Sequence, residues 1–230
     1  MKIVFEDDGL LVIDKPYGVV VNRSQTTKEE TVQDWVESIN PISNFQFPVN
    51  NDQLTQEFIS RSGIVHRLDK DTSGLLVIAK TPGSFEKLKN QFKNREVTKK
   101  YLALVHGQIY PLVGKIDAPI ERNPFNRMHY GIFPGGREAL TEYRVNKVFK
   151  EYCLLEVFPK TGRTHQIRVH MKYLNHPIIS DPIYGGRKQY KKDLEICPRL
   201  FLHATYLKIN GQEFNSPLPA DLQTVLDTLQ

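Results

Sequence analysis

Apolar and polar positions along the chain fall into short periodic blocks. The opening stretch KIVFEDDGLLVIDKPYG reads as two strands around a turn at Asp7-Asp8-Gly9. Thr31 is placed to cap a short helix with Val32, Trp35, Val36 and Ile39 on one face. Residues 40–60, with Pro41, Pro48 and many Asn, Gln and Ser, interrupt the periodicity and read as a long surface loop. The segment GIVHRLDKDTSG follows as a second loop, and Leu75–Ala79 is a continuous apolar run, a buried strand. Ser84–Asn94 sets Phe85, Leu88 and Phe92 on one helical face. Strands are predicted over Val97–Val105, Thr141–Phe149, Tyr152–Phe158 and Leu200–Ile209. Helices are predicted over Thr164–Leu174, with a stripe of Ile167, Met171 and Leu174, and over Pro219–Leu229. Strands outnumber helices and many neighbours are joined by tight turns. The expected class is mixed α/β with a large, mainly antiparallel central sheet, organised as a single domain over 1–230.

Charge changes this picture more than composition does. Among the 230 residues, 40% are hydrophobic and 25% charged, an ordinary globular balance. No apolar run approaches the roughly 20 residues of a membrane span. The acidic residues within Met1–Asp8 are unlike a signal peptide, so a cytoplasmic location is expected. The net charge is +5, but residues 1–60 hold 4 Lys/Arg against 10 Asp/Glu, while residues 61–100 hold 10 against 4. A basic stretch of that kind fits a polyanionic partner. Cys153 and Cys197 suggest neither a disulfide framework nor a metal cluster, and Cys153 reads as core. His165 and His170 are five apart, which turns them away from each other on a helix, so no metal is expected. Nucleotide-binding glycine loops and zinc signatures are missing, and no cofactor is predicted.

The segment Val65-His66-Arg67-Leu68-Asp69-Lys70-Asp71-Thr72-Ser73-Gly74 sets a carboxylate between two cations and ends in a turn into a buried strand. Neighbouring positive charge favours the ionised carboxylate. Such a group acts as a nucleophile or base toward a sugar carbon, although a salt-bridged turn has the same look. The wider sequence is more specific. VHRLDKDTSGLLVIAKT closely resembles the signature of the RluA-like family of RNA pseudouridine synthases. LLVIDKPYGVVV, KKYLALVHG, KTGRTHQIRVHM, HPIISDPIYG and RLFLHATYLKI followed by SPLPADL resemble further blocks of that family, in the family's order, across residues 10 to 221.

The resemblance implies the pseudouridine synthase catalytic fold and assigns roles. Asp69 is the catalytic carboxylate. Tyr101 stacks on the target base, Leu202 packs near it, and Arg67 enters the RNA in place of the flipped base. Arg168 pairs with the catalytic Asp, although Arg163 lies in the same block. These roles suit the chemistry. The reaction breaks C1′–N1, turns the base and joins C5 to C1′, with no redox change. Flipping a uridine costs a few kcal/mol, which stacking on Tyr101 and burial near Leu202 and Ile167 offset. Asp69 either attacks C1′ or removes the 2′ proton.

Many members of the family carry an additional N-terminal RNA-binding domain, and none is expected here. RNA choice then falls to the loops, residues 40–60 and 119–137, where Arg122, Arg127, His129 and Tyr130 mix positive charge with rings. The expected partner is ribosomal or transfer RNA, and the expected state a monomer. A non-catalytic RNA-binding or ribosome-assembly factor is the competing reading, and it would predict loss of Asp69 or Tyr101. A two-carboxylate glycosidase finds no second acid in a specific pattern.

Overall fold

A computed structural model describes residues 1–25, 27–39, 52–126 and 128–229. The chain forms two compact units, Met1–Val97 with Leu207–Ser216, and Thr98–Tyr206 with Pro217–Gln230. The first contains β1 (Lys2–Glu6), β2 (Leu10–Lys15), α1 (Val32–Ile39), α2 (Gln53–Ser60), β3 (Ser73–Ala79) and α3 (Pro82–Lys93). The second contains β4 (Thr98–His106), β5 (Val113–Asp117), β6 (Ile120–Arg122), β7 (Tyr130–Ile132), β8 (Leu140–Val148), β9 (Tyr152–Pro159), α4 (Gln166–Tyr173) and α5 (Arg187–Asp193). It also holds α6 (Ala220–Thr228), while β10 (Leu202–Ile209) is common to both units and β11 (Gln212–Asn215) pairs with β10. Strand order is β1-β2-β3 in the first unit and β4-β9-β8-β5 in the second, and these pairs are antiparallel. The class is the expected one, mixed α/β with a large, mainly antiparallel sheet. No described helix is long and apolar enough to cross a membrane.

In the first unit, Asp7 Oδ1 accepts the N–H groups of Gly9 and Leu10 at 2.8 and 2.7 Å, closing the predicted β1–β2 turn. All seven residues of β3 are buried, as a continuous apolar run requires. Thr81 caps α3 by accepting from Ser84 N–H at 3.1 Å, and Pro82 occupies the first turn, where its missing donor costs nothing. Phe85 and Leu88 are buried against β3, in a core that includes Leu10, Val12, Val77 and Leu207. One expectation is corrected here. Residues 53–60 are helix α2 rather than loop. Asp52 accepts from Thr55 N–H at 2.8 Å and caps it, and Phe58 lies edge-on to Phe85 with ring centroids 5.8 Å apart. The cap and one aromatic anchor outweigh the polar composition. Residues 40–51 of that predicted loop lie outside the described residues.

The second unit's core joins β4, β9 and β10 to α4 and α6, with Leu104, Cys153, Leu155, Met171 and Leu222 fully buried. Residues 119–137, read as loop, include the short strands β6 and β7, paired Ile120↔Ile132 through Arg122↔Tyr130. Asn123 Oδ1 accepts the N–H groups of Phe125 and Asn126, which shapes the tip, and Phe125 is 96% exposed. Arg122 donates to the Tyr130 hydroxyl at 3.0 Å and lies over its ring. Arg127 is outside the described residues.

Candidate active site

The Asp69 loop lies in the first unit, and three contacts fix its backbone. Gly63 opens it with φ of +73°, where an added Cβ would stand 2.0 Å from the carbonyl oxygen of Ala79. Only glycine lets the loop start that close to the end of β3. Val77 N–H donates to His66 Nε2 at 2.9 Å, and the His66 ring stacks on Phe92 at 4.5 Å. As an acceptor, Nε2 carries no proton, so His66 is held as the neutral Nδ1–H tautomer. Leu68 is buried, Arg67 is exposed and Asp69 is half-buried between them and Lys70. Lys70 turns outward to Glu29 at 2.7 Å. The two cations that flank Asp69 in sequence therefore do not clamp it as a pair.

The third contact was not legible beforehand. Lys15, at the end of β2 in the LLVIDKPYGVVV block, is fully buried. Its Nζ donates to the carbonyls of Pro16, Val19 and Lys70 at 2.8, 2.9 and 3.2 Å. Gly18 N–H donates to the same Lys70 carbonyl at 2.9 Å, and Thr72 N–H to that of Asp69 at 3.1 Å. The peptide next to Asp69 is therefore gripped from the Lys15–Gly18 turn. A Lys-Pro pair closing an apolar strand was the available signal, since lysine is almost never fully buried unless its charge is met.

The other predicted residues lie in the second unit. Tyr101 on β4 pairs with Val157 of β9 and is half-buried against the cluster that includes Ile167 and Leu202, both buried. Ile167 and Arg168 open α4, and the KTGRTHQIRVHM block is the device that docks this helix. Gln166 accepts from Thr161 Oγ1 and Arg163 N–H at 2.6 and 2.9 Å and donates to Leu140 O and Thr141 Oγ1 at 3.0 and 2.9 Å. His170 bonds Thr141 Oγ1 at 2.9 Å and Ala118 O at 3.0 Å, and burial pushes its pKa down. Arg163 donates to Glu138 O at 2.9 Å.

Arg168 is 1% exposed. Its Nε and Nη2 each donate to Asp181 at 2.8 Å, one oxygen apiece, in a fork-to-fork pair. Asp181 Oδ1 also accepts the N–H groups of Ile183 and Tyr184 at 2.8 and 2.9 Å. The Tyr184 ring faces the guanidinium at 5.4 Å. The Tyr184 hydroxyl then meets His165 Nδ1 at 2.9 Å and Tyr130 N–H at 3.0 Å. The KTGRTHQIRVHM and HPIISDPIYG blocks are thus two halves of one assembly that fixes the plane of Arg168 and reaches the β6–β7 hairpin.

Comparison with known proteins supplies the family. The family described as RNA pseudouridylate synthase matches residues 9–173. An uncharacterized RNA pseudouridine synthase of Chloroflexus aurantiacus is 50% identical over 176 residues, 74% of this chain and 54% of the relative. The ribosomal large subunit pseudouridine synthase D of Escherichia coli is 36% identical over 244 aligned positions, 100% of this chain and 71% of the relative. The chain thus spans about half the length of the first relative and under three quarters of the second. The solved structure of human RNA pseudouridylate synthase domain containing 1 is 26% identical, with a TM-score of 0.75 over 97% of this chain and 86% of that one. On the family match and the full-length similarity, the chain belongs to the RNA pseudouridylate synthase family.

Proposed function

We propose that this protein converts specific uridines of ribosomal RNA to pseudouridine, with Asp69 as the catalytic carboxylate. The observation that carries this reading is similarity along the whole chain to proteins named ribosomal large subunit pseudouridine synthase D, with Asp69 standing in the signature loop. Tyr101 stacks on the uracil while Leu202 and Ile167 bury its edge, and Arg168, its plane fixed by Asp181, orients the carboxylate of Asp69. Arg67 is exposed, which suits entry into the RNA in place of the flipped base. A backbone pinned by Lys15 and His66 supports a carboxylate that must sit still beside a sugar carbon. Whether Asp69 attacks C1′ or removes the 2′ proton, the ionised oxygen is required. The exposed Phe125 with Arg122 on the β6–β7 hairpin is suited to unpaired bases and contributes to the choice of RNA.

The test uses RNA labelled with tritium at C5 of uridine. Tritium is released to solvent when C5 joins C1′. Wild-type protein should release it from ribosomal RNA and not from transfer RNA. Asp69→Asn, nearly the same shape without the charge, should release none while binding RNA as before. Release by the Asn variant at the wild-type rate would remove Asp69 from the chemistry. Binding without any release by the wild type would point instead to an RNA-binding or assembly role.

A further inference from the structure

Lys99 and Lys100 are consecutive on β4, so their side chains leave opposite faces of the strand. Lys100 is fully engaged. Its Nζ donates to Glu156 at 3.0 Å and lies 5.9 Å from the centre of the Tyr206 ring, and Glu156 takes Arg144 on its other oxygen. Lys99 differs. It is half-buried, and among the described residues no carboxylate or carbonyl receives its ammonium. The neighbouring charge is a further cation, Lys160, which is itself turned to Glu142 at 2.9 Å. Burial first, and then the charge of Lys160, pulls the Lys99 ammonium down to about 8. A desolvated cation without a partner is unfavourable for folding, so Lys99 adds nothing to stability that a methionine of similar length would not.

Lys99 lies two residues before Tyr101 and therefore on the same face of β4, with their Cα atoms about 7 Å apart. We infer that Lys99 is a phosphate anchor, which holds the RNA backbone beside the nucleotide stacked on Tyr101, with Lys160 adding to the positive field. A phosphodiester meets the unsatisfied ammonium and relieves the repulsion from Lys160 in one step. The phosphate of a stacked nucleotide is one sugar away from its base, within reach of a lysine from the adjacent same-face position. Lys100, on the other face and already neutralised, has no such capacity. This inference rests on the reading that RNA is the substrate and adds a binding residue to it.

The test is the salt dependence of RNA binding for the full chain and for Lys99→Met, Lys99→Arg and Lys100→Met. One phosphate contact on single-stranded RNA contributes a log–log slope of about −0.7. Lys99→Met should make the slope shallower by about that amount and weaken binding several-fold at low salt, with the melting temperature unchanged or raised. Lys99→Arg should restore the slope. Lys100→Met should lower the melting temperature and keep the wild-type slope. A wild-type slope in Lys99→Met, or a lowered melting temperature that Lys99→Arg does not recover, overturns the inference. Tritium release by the wild type is scored separately. If it is absent, the proposed activity fails while the slopes still decide the phosphate contact; if it is present with unchanged slopes, only the role of Lys99 fails.

Discussion

Arg168 and Lys15 are the two largest fully buried side chains among the described residues, and both are cations. Each anchors a segment that carries a proposed functional residue, but by different chemistry. Lys15 donates to three neutral backbone carbonyls, one of them next to Asp69. Arg168 is met by the carboxylate of Asp181, which is itself fully buried. An ammonium with three donors ties two segments of chain together and leaves dipoles behind when removed. A guanidinium fork matched to a carboxylate fixes one plane and leaves a bare charge behind. The first arrangement shapes a loop, while the second aims a side chain.

The largest effect should therefore come from Arg168→Met. It leaves Asp181 buried without its counter-charge, a loss of about 3–5 kcal/mol, read as a lowered urea midpoint. Adding Asp181→Asn removes the stranded charge but keeps an acceptor for the N–H groups of Ile183 and Tyr184. The double variant should recover a large part of the stability. Under the role proposed for Arg168, its pseudouridine formation should stay lost, because the double variant restores the charge balance but not the guanidinium. A double variant that regains both would confine Arg168 to a structural role. Equal destabilisation in the single and double variants would show that geometry, and not charge, carries the pair.

Lys15→Met should cost less, about 1–3 kcal/mol, the desolvation of carbonyls left without donors. Its effect should be local. Amide exchange at Gly18 and Thr72, which flank the gripped peptide, should accelerate more than exchange in β3. Activity should fall further than stability alone explains, since Asp69 moves with its peptide. Uniform loss of protection across the first unit would mean that Lys15 supports the core rather than the loop.

These contacts mark where sequence was readable. Asp69, Tyr101 and the Leu75–Ala79 strand stood out because motif and periodicity are local signals. The cap on α3 was missed as such, although the helix itself was placed within two residues. Helix α2 was missed because its signal is a single Asp52 cap and one buried Phe58 within a polar stretch. Asp181 carried no sign of its role: its partner is thirteen positions away on α4, and only the fold brings the two carboxylate oxygens to the guanidinium. Lys15 was not singled out, because its one local signal, a Lys-Pro pair closing an apolar strand, does not tell that three carbonyls from two turns converge on it. Local rules found the chemical groups, and long-range pairing decided how each is held.

The smallest effect is a pH dependence built into the docking of α4. His170 is buried, with Ala118 O requiring a proton on Nε2 and Thr141 Oγ1 facing Nδ1. Gln166 Nε2 already donates to Thr141 Oγ1, so a second proton on His170 would bring a further donor against that hydroxyl. Burial likewise lowers the pKa of His170 below its ordinary 6.5. The sign follows directly. Below pH 6.5 the unfolded chain takes up a proton at this histidine and the folded chain does not, so stability is complete above 6.5 and falls as the pH drops toward the lowered folded value. With one proton involved, the slope cannot exceed about 1.4 kcal/mol per pH unit. His170→Gln, whose amide still donates to Ala118 O, should be less stable at pH 7.5 and lose less on acidification to pH 5.5. The measurement is the urea midpoint of both proteins across that range, taken as a difference so that the remaining histidines cancel. A difference independent of pH would mean that His170 titrates in the fold as it does in the unfolded chain, and a wild type that gains on the variant as the pH drops would mean that His170 is protonated in the fold, with the hydrogen bonding of Thr141 reversed.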